Sequence, residues 1–130
     1  MDQQVDDFEP DVFSRRCDSR DVLFGLTSRW GMLTIGALME DDFRFNALRR
    51  RVDGVSERML SQTLQALERD GFVTRTVVQA IPPIVEYSLT ELGRRIGAVV
   101  LDLIETVQTS LPQVLDARAA HESNTADPDR

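Results

Sequence analysis

Four polar side chains in the middle of the chain have the chemistry needed to read a nucleic acid: Arg58, Ser61, Gln62 and Gln65. Their spacing places them on one face of a helix, because residues three and four apart are neighbours on a helical surface. Guanidinium, hydroxyl and amide groups donate to or accept from base edges and phosphates. A solvated helix face usually carries more Glu and Lys, but this helix alone leaves two interpretations open: a helix that reads a nucleic acid, and an exposed helix rich in Gln and Ser.

Both ends of this helix are marked in the sequence. Ser56 can accept a hydrogen bond from a free N–H of the first turn, which suits the N-cap position. Gly71 can adopt a positive φ just past the last turn, which suits the C′ position. Between them Leu60, Leu64 and Leu67 recur at helical spacing, so we expect the face opposite the polar residues to be buried.

Helical spacing also occurs just upstream, where Phe45, Leu48 and Val52 are apolar and Arg49 and Arg50 fall on the solvent side. A short turn that contains glycine joins this segment to the next helix. Two helices joined in this way form the helix-turn-helix pattern, in which the second helix enters the major groove of DNA.

Two short runs rich in β-branched residues follow, at 72–78 and 84–89, on either side of Pro82-Pro83. Two such runs around a proline turn indicate a β-hairpin. A hairpin directly after the recognition helix is the wing of a winged helix.

Several motifs occur in one order along the chain: Trp30, Arg44 to Arg50, Gly54-Val55-Ser56, Met59-Leu60-Ser61, Gly71-Phe72-Val73, and the string from Pro82 to Thr90. In this order they resemble the HxlR-type winged helix-turn-helix transcription regulators, a branch related to MarR-type regulators. The match spans about residues 17 to 107. The resemblance implies a mainly α fold with a small β-hairpin (α+β), in which N- and C-terminal dimerisation helices flank the winged unit. It also implies a homodimeric, sequence-specific repressor of transcription that binds a pseudo-palindromic operator.

The residues expected to contact double-stranded DNA are Arg44, Asn46, Arg49, Arg50, Ser56, Arg58, Ser61, Gln62, Gln65 and Arg75. The wing departs from the family pattern, because Ile84 stands where a basic residue commonly follows Pro-Pro. No Arg occurs from Thr76 to Leu92. A turn near residues 79 to 82 would place Arg75 opposite Glu86, and the carboxylate would then partly neutralise Arg75.

Cys17 lies thirteen residues before Trp30, the separation at which family members commonly carry a cysteine that senses electrophiles or oxidants. It would lie at a helix N-terminus close to Arg15 and Arg16, where positive charge favours the thiolate. Asp18 replaces the proline usual in the family, and its carboxylate would raise the pKa of the thiol. Three interpretations stay open: oxidation or electrophile control through Cys17, an unreactive half-buried cysteine, and control by a small-molecule ligand.

Thr90 is expected to cap a long final helix whose apolar stripe extends beyond what a compact winged unit buries. The remainder is expected to pack on a second copy, as in the family's dimers, through Phe13, Val22, Leu26, Val99, Leu103, Val107 and Leu111. Pro112 is expected to end or kink this helix. The domain then comprises residues 15–116, between a flexible acidic arm at 1–14 and a disordered tail at 117–130.

The charge of the 130-residue chain is unevenly distributed. Phe43 to Arg95 contains nine Arg and six acidic residues, a net charge of +3, whereas the remainder has six Arg and sixteen acidic residues, a net charge of −10. A mildly basic unit inside an acidic chain is compatible with salt-dependent DNA binding. The total of −7 and the wing without Arg motivate an alternative, a winged-helix module that binds protein.

The remaining composition argues against other classes of protein. A single cysteine cannot form an internal disulfide, and no apolar run reaches membrane-span length, so we expect a cytoplasmic protein without a membrane partner. No glycine-rich phosphate loop or cluster of His, Cys and carboxylates is visible. We therefore expect no enzymatic activity, no metal and no cofactor.

Overall fold

The secondary structure follows the order expected of a winged helix-turn-helix. The computed structural model describes residues 9–125, which form five helices and three strands. The elements are α1 (Asp18–Thr27), α2 (Arg29–Glu40), β1 (Phe43–Arg44), α3 (Phe45–Arg51), α4 (Glu57–Arg69), β2 (Val73–Gln79), β3 (Ile84–Leu89) and α5 (Glu91–Thr125). Helices α3 and α4 are the helix-turn-helix pair, and β2 and β3 form the wing, so the predicted fold class is confirmed. The first eight residues of the predicted acidic arm lie outside the described range.

The core lies where α2, α3 and α4 meet. Ile35, Leu38, Leu48, Leu60 and Leu64 are each less than 2% exposed. Full burial of such a side chain stabilises the fold by about 1.5–3 kcal/mol relative to leaving it in water. The leucines of α4 thus fix the rotation of that helix about its axis, and its polar face is turned toward solvent.

Hydrogen bonds at both ends of α4 confirm the predicted caps. Ser56 Oγ accepts from the backbone N–H of the third helical residue at 3.0 Å. At the other end, the N–H of Gly71 donates to the Glu68 carbonyl, and the N–H of Phe72 donates to the Leu67 carbonyl. This pair of bonds is the Schellman motif, and it needs a left-handed residue at Gly71, where φ is +84°. The chain therefore turns sharply from the recognition helix into the wing.

One threonine connects this turn to the start of α5. Thr90 Oγ1 donates to the Gly71 carbonyl at 2.6 Å and accepts from the Gly93 N–H at 2.9 Å. The backbone N–H of Thr90 donates to the Phe72 carbonyl at 3.0 Å. Gly93 approaches this carbonyl so closely that a Cβ at residue 93 would overlap its oxygen. The end of α4, the wing and the start of α5 are therefore held together in one small junction.

The sheet contains a strand that the sequence did not reveal. Its order is β1-β3-β2, with both pairings antiparallel, and Phe43 of β1 pairs with Tyr87 of β3. A strand of two residues is too short to show the alternation of polar and apolar residues by which strands are recognised. The strand ties the start of α3 to the wing.

The register of the wing differs from the prediction. Arg75 pairs with Tyr87 rather than with Glu86, so the expected contact between Arg75 and Glu86 is wrong. The loop occupies residues 80–83 instead of 79–82, and β2 carries a bulge between Val77 and Gln79. Together these two features change the pairing by one residue. Because a shift of one residue moves a side chain to the other face of a strand, Arg75 and Glu86 lie on opposite faces of the hairpin.

Helix α5 continues without interruption from Glu91 to Thr125 and includes Pro112. Of the two effects predicted for Pro112, an end or a kink, the end is contradicted. Residues 117–125 of the predicted disordered tail are helical, and its last five residues lie outside the described range. Proline removes one bond to the carbonyl four residues earlier, which belongs to Gln108. Gln108 is exposed, so water can replace that bond. The alanines after residue 116 also favour a helix.

The residues expected at a dimer interface fall into two groups. Phe13 is 90% exposed, and Val99, Leu103, Val107 and Leu111 on α5 are about half exposed or more, from 47% to 68%. In contrast, Leu26 is 8% exposed and packs in the core of its own chain, so little of its side chain is left for contact with a partner. Val22 is partly buried and packs against the same core, because α1 directs both side chains toward α2 and α4.

Replacing Gly93 by alanine tests the close packing at the junction. Gly93→Ala is expected to lower the free energy of unfolding by about 1–3 kcal/mol, because the new methyl group overlaps the Phe72 carbonyl oxygen. Gly25→Ala in α1 is the matched control, since no heavy atom lies within 4 Å of its Cβ position. Urea unfolding followed by circular dichroism measures both variants. Equal midpoints for Gly93→Ala and the unsubstituted protein would contradict the described packing.

Candidate nucleic-acid interface

The polar face of α4 is accessible, as its sequence predicts. Arg58, Gln62 and Gln65 are exposed and Ser61 is half-buried. Ser56 already accepts a backbone hydrogen bond as the N-cap, but its hydroxyl proton stays available to an acceptor outside the chain. The first turn of α4 also presents free backbone N–H groups, which favour a phosphate at this end of the helix.

A wide groove runs between α3, the first turns of α4 and one face of the wing. It has a volume of about 1080 Å³ and brings together four of the predicted arginines: Arg44, Arg50, Arg58 and Arg75. Asn46 and Ser61, which were also predicted, lie on its walls. These residues come from four separate elements, β1, α3, α4 and β2, so the fold converts scattered basic positions into one surface.

The remaining predicted contacts lie beside this groove. Arg49 and Ser56 line an adjoining depression of about 730 Å³ around the turn between α3 and α4, together with Asn46 and Arg50. Gln62 lies on the opposite edge of α4, where it faces Gly25 and Leu26 of α1. Gln65 is exposed and lines none of these three concavities.

Ion pairing separates the arginines into two sets. Within residues 9–125 only two ion pairs occur, Arg51 with Glu40 and Arg69 with Asp70. Arg51 donates two hydrogen bonds to the Glu40 carboxylate, both at 2.6 Å, and they lower the pKa of Glu40 and raise that of Arg51. None of the five arginines expected to bind DNA has a carboxylate of the described chain within 4.0 Å. Their charges are therefore available to phosphates.

Sequence reasoning missed several residues of the groove. Phe45 and Tyr87 contribute aromatic surface, with ring centroids 6.4 Å apart and planes inclined by 56°. Tyr87 could have been placed only from the correct register, which pairs it with Arg75. Glu57, the first residue of α4, also lines the groove. Its position just after the N-cap was visible in the sequence, but an acidic residue there is normally explained by the helix dipole.

Cys17 is the N-cap residue of α1 and is half-buried. Its Sγ accepts from the backbone N–H of Asp11 at 3.3 Å and lies 3.0 Å from the hydroxyl of Ser19. The hydroxyl of Ser19 first, and then the backbone N–H groups, hold the pKa of the Cys17 thiol below its usual value of 9.0. Asp18 raises this pKa, as expected from the sequence, but its effect is the smallest. The expected direction of the effect of Asp18 is therefore confirmed, but the hydrogen bonds that lower the pKa of the Cys17 thiol outweigh it.

Among residues 9–125 no three or more His, Cys, Asp or Glu side chains come together in a way that could hold a metal ion. No single helix of the same residues is long and apolar enough to cross a membrane. Helices α1 and α2 meet that criterion only as a pair, and they are bent by 71° relative to each other.

The fold and this basic groove define a class of protein, the winged helix-turn-helix regulators of transcription. A family model described as HxlR-like helix-turn-helix matches residues 25–114. The chain belongs to the HxlR-like helix-turn-helix family, and it is a transcriptional regulator with a helix-turn-helix DNA-binding fold. The resemblance deduced from the sequence motifs is thus confirmed.

Individual relatives agree with this assignment. The HTH-type transcriptional regulator YtfH of Escherichia coli (strain K12) is 50% identical over 115 residues, which cover 86% of this chain and 91% of YtfH. The structure of the transcriptional regulator ytfH from Salmonella typhimurium has a TM-score of 0.81 at 49% identity, covering 85% of this chain and 99% of that one. The redox regulator HypR in its oxidised form has a TM-score of 0.65 at 35% identity, covering 72% of this chain and 96% of HypR.

The hydrogen bonds around Cys17 predict opposite effects for two substitutions. Ser19→Ala removes the largest cause of the lowered thiol pKa and is expected to raise that pKa, whereas Asp18→Asn removes a charge that raises it and is expected to lower it. The pH dependence of alkylation by iodoacetamide measures the pKa, because only the thiolate reacts. An alkylation profile for Ser19→Ala that coincides with that of the unsubstituted protein would contradict the role of Ser19.

Proposed function

We propose that the protein is a homodimeric, sequence-specific repressor of transcription that acts in the cytoplasm on a pseudo-palindromic operator. One observation carries the DNA-binding part of the proposal. Five arginines without carboxylate partners in the described chain line two adjoining concavities beside the first turns of the recognition helix. Clustered, unpaired guanidinium groups of this kind supply the salt-dependent affinity for the DNA backbone.

The two sets of residues have different roles in this proposal. Arg44, Arg49 and Arg50 hold phosphates and so fix the position of the protein on the duplex. Arg58, Ser61, Gln62 and Gln65 of α4 contact base edges in the major groove, as arginine does with guanine and glutamine with adenine. Arg75 adds a phosphate contact from the wing, since the observed register leaves it unpaired with Glu86.

The dimer part of the proposal rests on the outer surface of α5. Val99, Leu103, Val107 and Leu111 recur at intervals of four and are exposed by 68%, 48%, 54% and 47%. A repeating apolar stripe that the chain does not cover itself is suited to a second helix of the same kind. Two copies related by a two-fold axis would place their recognition helices on two half-sites about one helical turn of DNA apart, or a multiple of it. Where such an operator overlaps a promoter, the bound dimer represses transcription.

The redox part of the proposal rests on the environment of Cys17. Hydrogen bonds lower the pKa of its thiol, so a larger fraction is present as the reactive thiolate near neutral pH. HypR, which has 35% sequence identity, is described as a redox regulator. Oxidation would join the Cys17 residues of the two protomers, if their Cα atoms come within about 7 Å, or would form a mixed disulfide with a small thiol. Either product would change the spacing of the two recognition helices.

A second candidate function is a winged-helix module that binds protein. Ile81 at the tip of the wing is 90% exposed, and no arginine occurs from Thr76 to Leu92. An apolar wing tip is less suited to phosphates than a basic one. If selection from random duplex DNA enriches no motif and a protein partner is recovered instead, this second candidate is favoured.

Two substitutions distinguish a residue that positions the protein on the DNA backbone from a residue that reads a base. Arg50→Ala is expected to weaken binding to all sequences alike and to reduce the slope of log K against log salt by about 1, because one phosphate contact is lost. Gln62→Ala is expected to relax the base preference at one position of the half-site. Arg118→Ala, which removes an exposed arginine far along α5, is the matched control. An unchanged salt slope for Arg50→Ala would contradict its assignment to a phosphate.

Control by oxidation can be tested by selecting bound fragments from random duplex DNA. Reduced protein is expected to enrich an inverted repeat, and protein treated with a hydroperoxide is expected to lose it. Cys17→Ser should keep the motif under both conditions, since serine cannot form a disulfide. A motif that persists after oxidation of the unsubstituted protein would contradict the redox part of the proposal and would leave the DNA-binding part intact.

A further inference from the structure

Glu57 places an acidic side chain in a groove whose other charged residues are all basic. Of the described residues that line this groove, it alone carries a carboxylate, and it lies there with four arginines. Glu57 is exposed, and no guanidinium nitrogen of residues 9–125 lies within 4.0 Å of its carboxylate oxygens. The carboxylate therefore does not neutralise a neighbouring arginine, and it is available to a molecule that occupies the groove.

Glu57 and the N-cap residue Ser56 lie on different sides of the start of α4. Ser56 lines the adjoining depression but not the groove, whereas Glu57 lines the groove but not the depression. A phosphate bound in the depression is therefore separated from the carboxylate. Within the groove a carboxylate repels phosphates, so we expect a base edge, rather than the DNA backbone, to lie against Glu57.

We propose that Glu57 reads a cytosine in the major groove, a role that rests on the proposed function. An ionised carboxylate accepts hydrogen bonds and cannot donate them. In the major groove cytosine presents an amino group, which donates, whereas guanine presents only acceptors and thymine presents an acceptor and a methyl group. Glu57 therefore favours cytosine and rejects guanine and thymine at the same position. Adenine, which presents an acceptor beside its amino group, is expected to be intermediate.

The position of Glu57 on the recognition helix suits this role. It is the first residue of α4, and the N-terminal residues of a recognition helix are the ones that contact base edges. Ser61 lies one helical turn further on and lines the same groove, so the two side chains lie along one edge of α4. Arg58 also lines the groove, but consecutive residues on a helix do not face each other, and no ion pair joins Arg58 to Glu57.

The stability of α4 offers a rival explanation for an acidic residue at this position. A carboxylate in the first turn interacts favourably with the helix dipole, and both α1 and α5 also carry an acidic residue in the first turn. The two roles have different requirements. Stabilisation of the helix requires only a negative charge near its start, whereas base reading requires that the carboxylate reach one particular amino group.

Selection from random duplex DNA by the reduced full chain tests the reading role. The unsubstituted protein is expected to enrich a C·G pair at one position of each half-site. Glu57→Gln is expected to relax this position or to change it to A·T, because an amide pairs well with adenine. In fluorescence anisotropy, replacing the C·G pair by T·A should weaken binding of the unsubstituted protein about tenfold and that of Glu57→Gln much less. Identical motifs and equal losses for the two proteins would overturn the proposal.

Two further variants separate base reading from helix stability and from net charge. Glu57→Asp keeps the negative charge at the start of α4 but withdraws the carboxylate by one methylene group. It should lose the preference for cytosine while thermal unfolding changes little. Glu68→Gln removes the same charge from an exposed position of α4 outside the groove, and it should keep the motif. Full preference in Glu57→Asp, or loss of the preference in Glu68→Gln, would show that the carboxylate of Glu57 does not read the base.

Affinity for a duplex without the motif provides a second readout. Because the carboxylate repels phosphates, Glu57→Gln is expected to bind such DNA several-fold more tightly at low salt, with a smaller gain for Glu68→Gln and a smaller difference at high salt. Weaker binding by Glu57→Gln would contradict the proposal. If the unsubstituted protein selects no motif at all, the proposed function fails and the role of Glu57 fails with it. If it selects a motif that Glu57→Gln leaves unchanged, only the role of Glu57 is overturned.

Discussion

The recognition helix, the wing and α5 all depend on the hydrogen bonds that converge on Thr90. Its hydroxyl joins the Gly71 carbonyl to the first turn of α5, and its backbone N–H binds the Phe72 carbonyl. Gly71 must adopt a positive φ for the recognition helix to end here, and Gly93 must lack a side chain for α5 to begin here. Three elements that are separate in sequence are thereby fixed relative to one another by a few backbone groups.

The arginines of the chain differ in their position and also in whether they form an ion pair with a carboxylate. Arg51 is bound to Glu40 and Arg69 to Asp70, whereas the arginines of the groove have no carboxylate within reach in residues 9–125. Exposed ion pairs of this kind contribute little to stability, because solvent screens them. The more important consequence is electrostatic, because an acidic protein keeps a surface on which five arginines form no direct ion pair within residues 9–125.

The parts of the fold that sequence reasoning predicted are those specified by local chemistry. Ser56 and Gly71 mark the ends of α4 by capping and by backbone freedom, and both were identified from the sequence. The parts it missed depend on the packing of distant segments. The register of Arg75 follows from a bulge and the loop position, and the acidity of Cys17 follows from a hydroxyl two residues away. The burial of Leu26 in the core of its own chain follows from the packing of α1, which the spacing of apolar residues alone does not predict.

Helix α5 has a mechanical consequence. Its 35 residues span about 52 Å at 1.5 Å per residue. From residue 105 onward all are exposed except the half-buried Ser110, so its outer half is not held by the rest of residues 9–125. Only the first half of α5 is therefore fixed to the rest of the domain. A tilt of a few degrees in that half moves the far end of the helix by several ångströms. Conversely, a contact that fixes the free end of α5 also fixes the orientation of the wing and the recognition helix, although it lies tens of ångströms from them.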